Sequence, residues 1–196
     1  MNEIFSKVRN FASEQHTKVN HYYDNKYYHV HLDKVVEVAE KFIYLIPEKD
    51  RDIVIAACYC HDLLEDTRLT YNDLFKSLSS IIYDVASDKY FYFQECKKAA
   101  FKITEIVFAL TNEKGRNRKE RANDKYYQGI RDTEYAVFVK LCDRIANTQY
   151  SKTTKSKMFE MYKKEHDDFK TYLKDSTYDD MFIYLDNLVN ENIISN

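Results

Sequence analysis

Apolar residues recur at spacings of three and four along most of the chain, which is the period of one helix face. The pattern is clearest from His31 to Pro47, where the proline ends the predicted helix. The same spacing predicts further helices over about residues 3–16, 51–64, 79–110, 117–130 and 133–149, followed by one or two terminal helices. Gly115 and Gly129 are expected to stop the helices that precede them.

The polar segments between these helices carry signals of their own. Thr70 is predicted to cap the start of another helix, because its hydroxyl can accept a hydrogen bond from a backbone N–H and Asp73 follows three residues on, as in a capping box. The tyrosine-rich segment 16–31 is predicted to be a loop. No internal repeat, low-complexity tract or flexible linker divides the chain, so we expect one domain over residues 1–196.

The composition favours the same fold class. The chain has 2 glycines and 1 proline, too few for the many turns of a β-sandwich or barrel. Its 196 residues suffice to bury a sizeable core without disulfide bonds. We therefore predict an all-α, single-domain helical bundle.

Charge and cysteine content exclude several classes of protein. The net charge is -2 and the basic residues are spread along the chain, unlike the basic footprint of a duplex-binding protein. The N-terminus has no apolar run of signal-peptide length and no segment is long enough to span a bilayer, so we expect a cytoplasmic protein that binds neither DNA, RNA nor membranes. The cysteines are expected to be buried small apolar residues rather than metal or redox ligands, and they are Cys58, Cys60, Cys96 and Cys142.

The string CYCHDLLEDT at residues 58–67 places four titratable side chains directly after an apolar run. On a helix, His61 lies one turn from Glu65 and Asp62 one turn from Asp66. Burying carboxylates costs on the order of several kcal/mol each unless a cation or hydrogen bonds compensate. A divalent metal ion could compensate, and imidazole with carboxylate suits Mn, Fe, Co, Ni or Zn better than Ca or Mg. The alternative is an exposed helix end whose charges face water.

Two polar residues elsewhere favour the metal. His31 lies one turn before Val35 on the buried face of its helix, and Asp143 shares a face with Val139. Taken alone, His31 would be an ordinary core histidine, and a lone buried aspartate would be costly. One metal ion explains these misplaced polar groups together. His29 is a weaker ligand candidate.

A second His-Asp pair serves as an internal comparison. His166-Asp167 lies in YKKEHDDFK, where its neighbours are charged on every side. We therefore predict that this pair is solvated surface rather than part of a site.

The order of a histidine, then HD followed by ED, then a distant aspartate resembles the HD superfamily of metal-dependent phosphohydrolases. Within it, the chain is similar to RelA/SpoT-type (p)ppGpp hydrolase domains and their small stand-alone relatives, whose helix reads roughly ALLHDVVEDT where this chain has AACYCHDLLEDT. The similarity includes a Tyr-x-x-His segment at residues 28–31, a basic segment LTNEKGRNRKERA at 110–122, and VKLCDRIANT at 139–148 beside the family's VKLADRLHN. It covers about residues 8–150 and implies an HD-type helical fold.

The resemblance implies roles for eight residues. The metal ligands would be His31, His61, Asp62 and Asp143. The acidic pair that activates the attacking water would be Glu65 and Asp66. The substrate-binding residues would be Arg118, at a phosphate, and Asn147, at the nucleotide. The implied cofactor is one divalent metal ion, for which we expect Mn2+.

Three departures from the family pattern concern substrate recognition. Asn20-His21 stands where the family has a basic dipeptide near the guanine, and Leu32 stands where it has a proline after the first metal histidine. Residues 79–100 look like an insertion, and its aromatic run KYFYF could line a reshaped pocket.

The activity implied by the resemblance is the hydrolysis of guanosine 3′,5′-bis(diphosphate) at its 3′-pyrophosphate. The partner would then be a small nucleotide. One alternative is another nucleotide phosphatase of the superfamily, acting on a 2′- or 3′-phosphate, NADPH or a deoxynucleotide. Another is a non-catalytic HD nucleotide-binding module, although such modules usually lose the ligands or acidic pair that this chain retains. A protein that binds partners through its exposed tyrosines is a further alternative.

Overall fold

The structure is a computed structural model that describes residues 3–85 and 93–190, and within these ranges the fold is all-α as predicted. The helices in chain order are α1 (Glu3–Lys18), α2 (His29–Phe42), α3 (Arg51–Cys60), α4 (Leu63–Asp66), α5 (Tyr71–Val85), α6 (Phe93–Leu110), α7 (Arg118–Arg121), α8 (Asp124–Asp132), α9 (Ala136–Thr153), α10 (Met158–Lys164), α11 (His166–Leu173) and α12 (Asp179–Asn190). Two short antiparallel strands, β1 (Tyr22–Tyr23) and β2 (Lys26–Tyr27), pair in front of α2. Single 3-10 turns follow α2, precede α3 and precede α12.

Helix α3 lies at the centre of the bundle. Its sequence RDIVIAACYC is almost continuously apolar, and every residue from Val54 to Cys60 is buried. A helix that is apolar on all sides is stable only when other helices surround it. Helices α1, α2, α6 and α9 pack against it, so the residues that follow Cys60 emerge in the middle of the molecule.

The helix predicted over 51–64 is interrupted. Helix α3 ends at Cys60, α4 begins at Leu63, and His61 and Asp62 form the turn between them. Asp62 has the backbone angles φ -100 and ψ 2, outside the helical region. The interruption matters because it changes the direction of the chain at the two residues expected to bind metal.

The helix predicted over 79–110 is confirmed only in part. Helix α5 ends at Val85, and α6 begins at Phe93 and ends at Leu110, well before Gly115. Gly115 has a packing role instead, because a Cβ there would come within 2.7 Å of the Cβ of Glu120. The KYFYF run of the expected insertion lies outside the residues whose side chains the structure describes.

The single helix predicted over 117–130 is wrong, because two asparagine caps divide it. The side chain of Asn117 accepts from the backbone N–H of Glu120 at 3.0 Å and starts α7, and that of Asn123 accepts from the N–H of Tyr126 at 3.1 Å and starts α8. Gly129 lies inside α8 with open space around it, so it does not end the helix.

The capping prediction at Thr70 is confirmed. Its hydroxyl accepts from the backbone N–H of Asp73 at 3.3 Å, and the Asp73 carboxylate accepts from the backbone N–H of Thr70 at 3.1 Å. The loop predicted over 16–31 is confirmed only in part, since α1 runs to Lys18, a hairpin follows, and α2 begins at His29. The hairpin turn uses Asp24 and Asn25 with positive φ angles of 48 and 61, which both residue types tolerate.

All four cysteines are buried and free, which confirms their prediction as small apolar residues. In the part of the chain that the structure describes, no helix has the combination of length and apolarity needed to cross a bilayer. Between α9 and residue 190, where the described part of the chain ends, there are three helices rather than one or two.

The prediction that His166-Asp167 is solvated surface is wrong for the histidine. Asp167 is exposed, but His166 is buried, and its Nε2 donates to the Asp186 Oδ1 atom on α12 at 2.6 Å. Lys170 Nζ donates to the other oxygen of Asp186 at 2.5 Å. Its charged neighbours Lys164 and Asp167 are exposed, because only the face of α11 that carries His166, Phe169 and Leu173 is buried.

The Asp186 ion pairs should make stability depend on pH. Burial raises the pKa of Asp186, but hydrogen bonds from Lys170 and His166 outweigh burial and lower it below the usual value. Because the pKa is lower in the folded state, ionised Asp186 stabilises the protein above about pH 4, the usual pKa of an aspartate in an unfolded chain. This stabilisation is lost as the pH falls through the pKa of the folded state. We expect Asp186→Asn to lower the free energy of unfolding by about 1–2 kcal/mol at pH 7.

Urea unfolding at pH 7 and below pH 4 tests this expectation. The difference between wild type and Asp186→Asn should shrink at the lower pH, because protonation removes the charge from wild type as well. The exposed neighbour supplies a control, since Asp167→Asn should change stability by less than about 0.5 kcal/mol. A deficit of the Asp186 variant that is unchanged below pH 4 would contradict the account.

Candidate functional site

Three separate parts of the bundle place polar side chains at the same point in the core. His31 lies in the first turn of α2, His61 and Asp62 lie in the turn after α3, and Asp143 lies in α9. The two histidine Nε2 atoms are 3.3 Å apart. The Asp62 Oδ2 atom is 2.9 Å from the Nε2 of His61, and the Asp143 Oδ1 atom is 3.4 Å from the Nε2 of His31. The structure thus brings together the four residues predicted as metal ligands, and their binding of a metal stays a prediction.

The donor atoms of this cluster suit a divalent cation. His61 Nδ1 lies 2.9 Å from the carbonyl oxygen of Cys58, so it carries the proton and leaves the Nε2 lone pair directed into the cluster. His31, His61 and Asp62 each offer one ligand atom, and these atoms lie within 4.8 Å of one another. The second carboxylate, Asp143, is 3.7 Å from the Nε2 of His61. Two imidazoles and two carboxylates form a donor set typical of transition-metal sites.

The electrostatics of the cluster favour a positive charge at its centre. Burial lowers the pKa of His61, but Asp62 and Asp143 outweigh burial and raise it well above the usual value. Burial raises the pKa of Asp143, but Lys140 and the two histidines lower it well below the usual range. Burial also raises the pKa of Asp62, but the charge and hydrogen bond of His61 outweigh burial and lower it below the usual value. A proton on His61 or a metal ion can supply the compensating charge.

Neighbouring side chains orient the two carboxylates. The hydroxyl of Tyr28 donates to Asp62 Oδ2, and Lys140 Nζ lies 3.0 Å from Asp143 Oδ2. The amide of Asn147 donates to Asp143 Oδ1 at 2.5 Å. Its oxygen accepts from the Tyr23 hydroxyl at 3.0 Å. Asn147, predicted to hold the nucleotide, thus positions Asp143 through its amide nitrogen and is itself held by Tyr23, while also lining the cavity.

We expect Tyr28→Phe to weaken metal affinity by about tenfold or more, the usual cost of losing a partner of a ligand. The ring should keep its place, because it packs between His16 and His21 with ring-centroid distances of 4.0 and 4.1 Å. Titration of Mn2+ against a competing chelator would measure the change. Tyr22→Phe, at an exposed tyrosine of the nearby hairpin, should bind metal as wild type does. Equal affinity of all three proteins would show that Tyr28 does not orient Asp62.

A cavity of about 550 Å³ extends from the cluster to the surface. Three residues with predicted roles beyond the ligands line it, namely Glu65, Arg118 and Asn147, and Arg121 lines it as well. Asn112 fixes the Glu65 carboxylate, because its side-chain nitrogen donates to Oε1 at 2.6 Å and its backbone N–H donates to Oε2 at 3.3 Å. Asn112 lies within the LTNEKG segment, but its role could not be predicted because its partner is 47 residues away.

Asp66, the other member of the predicted acidic pair, has different surroundings. It does not line the cavity, and its Oδ2 atom lies 3.8 Å from Nδ1 of His21. Burial, together with the nearby Asp62 and Glu65, raises the pKa of Asp66 to about 7. His21, at the position of the family's basic dipeptide, therefore lies next to Asp66. The two acidic residues are not equivalent in this chain, and their catalytic roles stay predictions.

The outer wall of the cavity comes from the helices after α9, which the sequence did not single out. Tyr162, Glu165, Asp168, Phe169 and Tyr172 line it. They face Arg118 and the buried Arg144. Arg144 belongs to the VKLCDRIANT motif, but the motif does not predict which residues of the later helices it contacts. In contrast, the described parts of the suspected insertion, 79–85 and 93–100, contribute no residue to this cavity.

The fold and the cluster define a class of protein: an all-α protein whose buried His-His-Asp cluster could hold a divalent metal at the base of a cavity. Residues 28–148 match the family described as HD domain, and the chain belongs to this family. HD-domain proteins are in general metal-dependent phosphohydrolases. The matched range includes His31, His61, Asp62, Asp143 and Glu65, and it ends before the outer wall of the cavity. No curated protein and no solved structure matches the chain.

Proposed function

We propose that the protein hydrolyses a phosphate ester of a nucleotide, and that its first candidate substrate is guanosine 3′,5′-bis(diphosphate), cleaved at the 3′-pyrophosphate. The observation that supports this proposal is the continuity of one cavity. At its base are the cation-binding cluster and Glu65, and at its outer end are arginine and tyrosine side chains. A phosphate at the base and a nucleoside in the outer part would fit this division.

The proposed cofactor is one Mn2+ ion held by His31, His61, Asp62 and Asp143. When bound, such an ion supplies Lewis acidity at a phosphate oxygen. Glu65 would accept a proton from the attacking water, because its carboxylate lines the cavity and two N–H groups of Asn112 hold it in place.

Cationic side chains would stabilise the phosphate. Arg118 and Arg121 lie one turn apart on the cavity wall, where their guanidinium groups can bind phosphate oxygens of the nucleotide. The aromatic faces of Tyr127 and Tyr162 offer surfaces on which a base can pack. These side chains would bind and orient the nucleotide, while Glu65 and the metal cluster at the base of the cavity would act on the ester.

The motifs favour the bis(diphosphate), whereas the charge of the cavity favours a second candidate. Among the lining residues, the cations are Arg118, Arg121, Lys140 and Arg144, and the carboxylates are Asp62, Glu65, Asp143, Glu165 and Asp168. With this balance, even a divalent ion leaves little positive charge for a polyanionic ligand. The second candidate is therefore a nucleotide with less negative charge than the bis(diphosphate), such as a 2′- or 3′-phosphate, NADPH or a deoxynucleotide.

The compartment belongs to the same proposal. All four cysteines are buried free thiols, a state that fits a reducing compartment. We accordingly propose that the reaction takes place in the cytoplasm on a small soluble nucleotide, with no role for DNA, RNA or membranes.

A substrate panel assayed with Mn2+ tests the proposed function. The panel contains guanosine 3′,5′-bis(diphosphate), NADPH, 3′-nucleotides, deoxynucleotides and cyclic nucleotides, with release of pyrophosphate and of phosphate measured separately. Pyrophosphate released from the first compound would support the first candidate, and phosphate released from the others would support the second. If the protein binds the metal and a nucleotide but turns over no member of the panel, it is a non-catalytic nucleotide-binding module and the proposal fails.

A further inference from the structure

The carboxylate of Glu165 lies between two arginine side chains in the outer part of the cavity. It lies between α10 and α11, outside the range that matches the HD family. Its Oε1 atom is 2.8 Å from Nε of Arg118, and its Oε2 atom is 3.2 Å from Nη2 of the same guanidinium. Nη1 of Arg144 donates to Oε2 at 3.1 Å. The carboxylate therefore receives two charge-assisted hydrogen bonds and makes one further ion-pair contact.

Arg144 does not depend on Glu165 for its position. It is 5% exposed, and its guanidinium carbon lies 4.6 Å from the ring centroid of Tyr162 and 4.8 Å from that of Phe169. Its Nη2 atom also donates to the carbonyl oxygen of Tyr162 at 3.4 Å. If the carboxylate moved away, packing against two rings would keep this guanidinium at the cavity wall.

Arg118 is held far less firmly. Its side chain is 54% exposed, and it stands on the four-residue helix α7. The described contacts of its guanidinium hydrogens are those to Glu165. Arg118 can therefore turn from the carboxylate to another anion in the cavity at small cost, while Arg144 stays in place.

A guanidinium binds carboxylate and phosphate with the same forked geometry, so the two anions compete for one position. Glu165 holds that position in the protein as it stands. A phosphate that enters must replace the carboxylate and must also overcome its negative charge. The charge of Glu165 would thus reduce affinity more for a ligand that places phosphate here than for one that does not.

We propose that Glu165 is a specificity-determining residue that occupies a second phosphate subsite between Arg118 and Arg144, where a substrate phosphate remote from the metal cluster binds in exchange for the carboxylate. This inference rests on the proposed function, because it assigns to the substrate a second phosphate-bearing position. The ligand class is a nucleotide phosphorylated at two positions, and Glu165 sets how strongly it is preferred over a monophosphate.

The first test is calorimetric binding of inorganic pyrophosphate to the full-length, metal-free protein. Removing one negative charge that faces the ligand at close range is expected to tighten binding about tenfold in Glu165→Gln. The matched control is Glu160→Gln, the same chemical change at an exposed position of α10, which should bind as wild type does. The double variant Glu165→Gln/Arg118→Ala should lose this gain in pyrophosphate affinity.

A pyrophosphate affinity of Glu165→Gln that is equal to or weaker than wild type, in a protein with an unchanged melting temperature, would overturn the proposal. Should that variant fail to fold, Arg118→Ala alone decides, because it should weaken pyrophosphate binding by about tenfold if the subsite exists. An unchanged affinity of this exposed-arginine variant would equally overturn the proposal.

The second test separates this inference from the proposed function. With Mn2+ present, the ratio of kcat/KM for a nucleoside 3′,5′-bisphosphate to that for its 3′-monophosphate should rise about tenfold in Glu165→Gln. Turnover by wild type without this change of ratio would sink the inference and leave the proposed function standing. Absence of all turnover would sink the proposed function, while the pyrophosphate measurement would still decide whether the subsite exists.

Discussion

Replacing His61 with alanine is expected to abolish stoichiometric metal binding and to lower turnover by at least about a thousandfold, since a metal ion contributes several kcal/mol to charge stabilisation. The expectation follows from the position of the ring. Its Nε2 atom lies 3.3 Å from that of His31 and 2.9 Å from the carboxylate of Asp62, while its Nδ1–H is fixed on the carbonyl of Cys58. Alanine would remove one of the four donor atoms. The negative charges of Asp62 and Asp143 would then be balanced less well.

Metal content by mass spectrometry and Mn2+ affinity by calorimetry would measure this loss. His29→Ala is the matched control, because His29 lies two residues before His31 in the first turn of α2, and its ring packs near Tyr27 rather than in the cluster. It should retain one metal ion and wild-type turnover. A His61→Ala protein that still binds one metal ion per chain with wild-type affinity would refute the assignment of this ligand.

The second large effect is expected for Glu65→Gln. It should lower kcat by about 10²–10⁴-fold, the usual contribution of a general base, while metal affinity stays within a few fold of wild type. Glutamine has the same shape and can still accept a hydrogen bond from Asn112, but it cannot take a proton from water. Measuring kcat and metal affinity on the same preparation separates loss of the base from loss of the cluster.

Asp66→Asn provides the comparison for this prediction. Asp66 faces His21 and does not line the cavity, so its replacement should cost much less in kcat than that of Glu65. Full activity of a Glu65→Gln/Asp66→Asn double variant would remove both residues from the chemical step. A larger loss of kcat in Asp66→Asn than in Glu65→Gln would contradict the assignment of Glu65, rather than Asp66, as the general base.

The sequence predicted the parts of the fold and site that depend on short-range patterns. Apolar periodicity predicted the all-α fold, and the apolar residues before His61, unlike the charged neighbours of His166, favoured a buried position for His61. Four candidate ligands on three segments could be grouped because each was a polar residue on an apolar face. Asparagine is a typical helix cap, yet the charged pattern around Asn117 and Asn123 predicts one continuous helix, whereas each of them begins a separate one.

The remainder depends on packing between distant segments. His166 has the charged neighbours of a surface residue, and only the position of α12 creates its partner Asp186. Glu165 has no signal of its own, since its contacts with Arg118 and Arg144 exist only because α10 and α11 fold back over the cavity. Local sequence determines which residues can be buried, but not which distant residue each buried group will meet.

A crystal of the Mn2+-loaded protein, measured for anomalous scattering at the manganese edge, would test the central claim most directly. The account predicts one strong peak per chain, within about 2.5 Å of Nε2 of both His31 and His61 and of a carboxylate oxygen of both Asp62 and Asp143. A peak bound by other residues, or full loading of the protein with no peak among these four side chains, would contradict it.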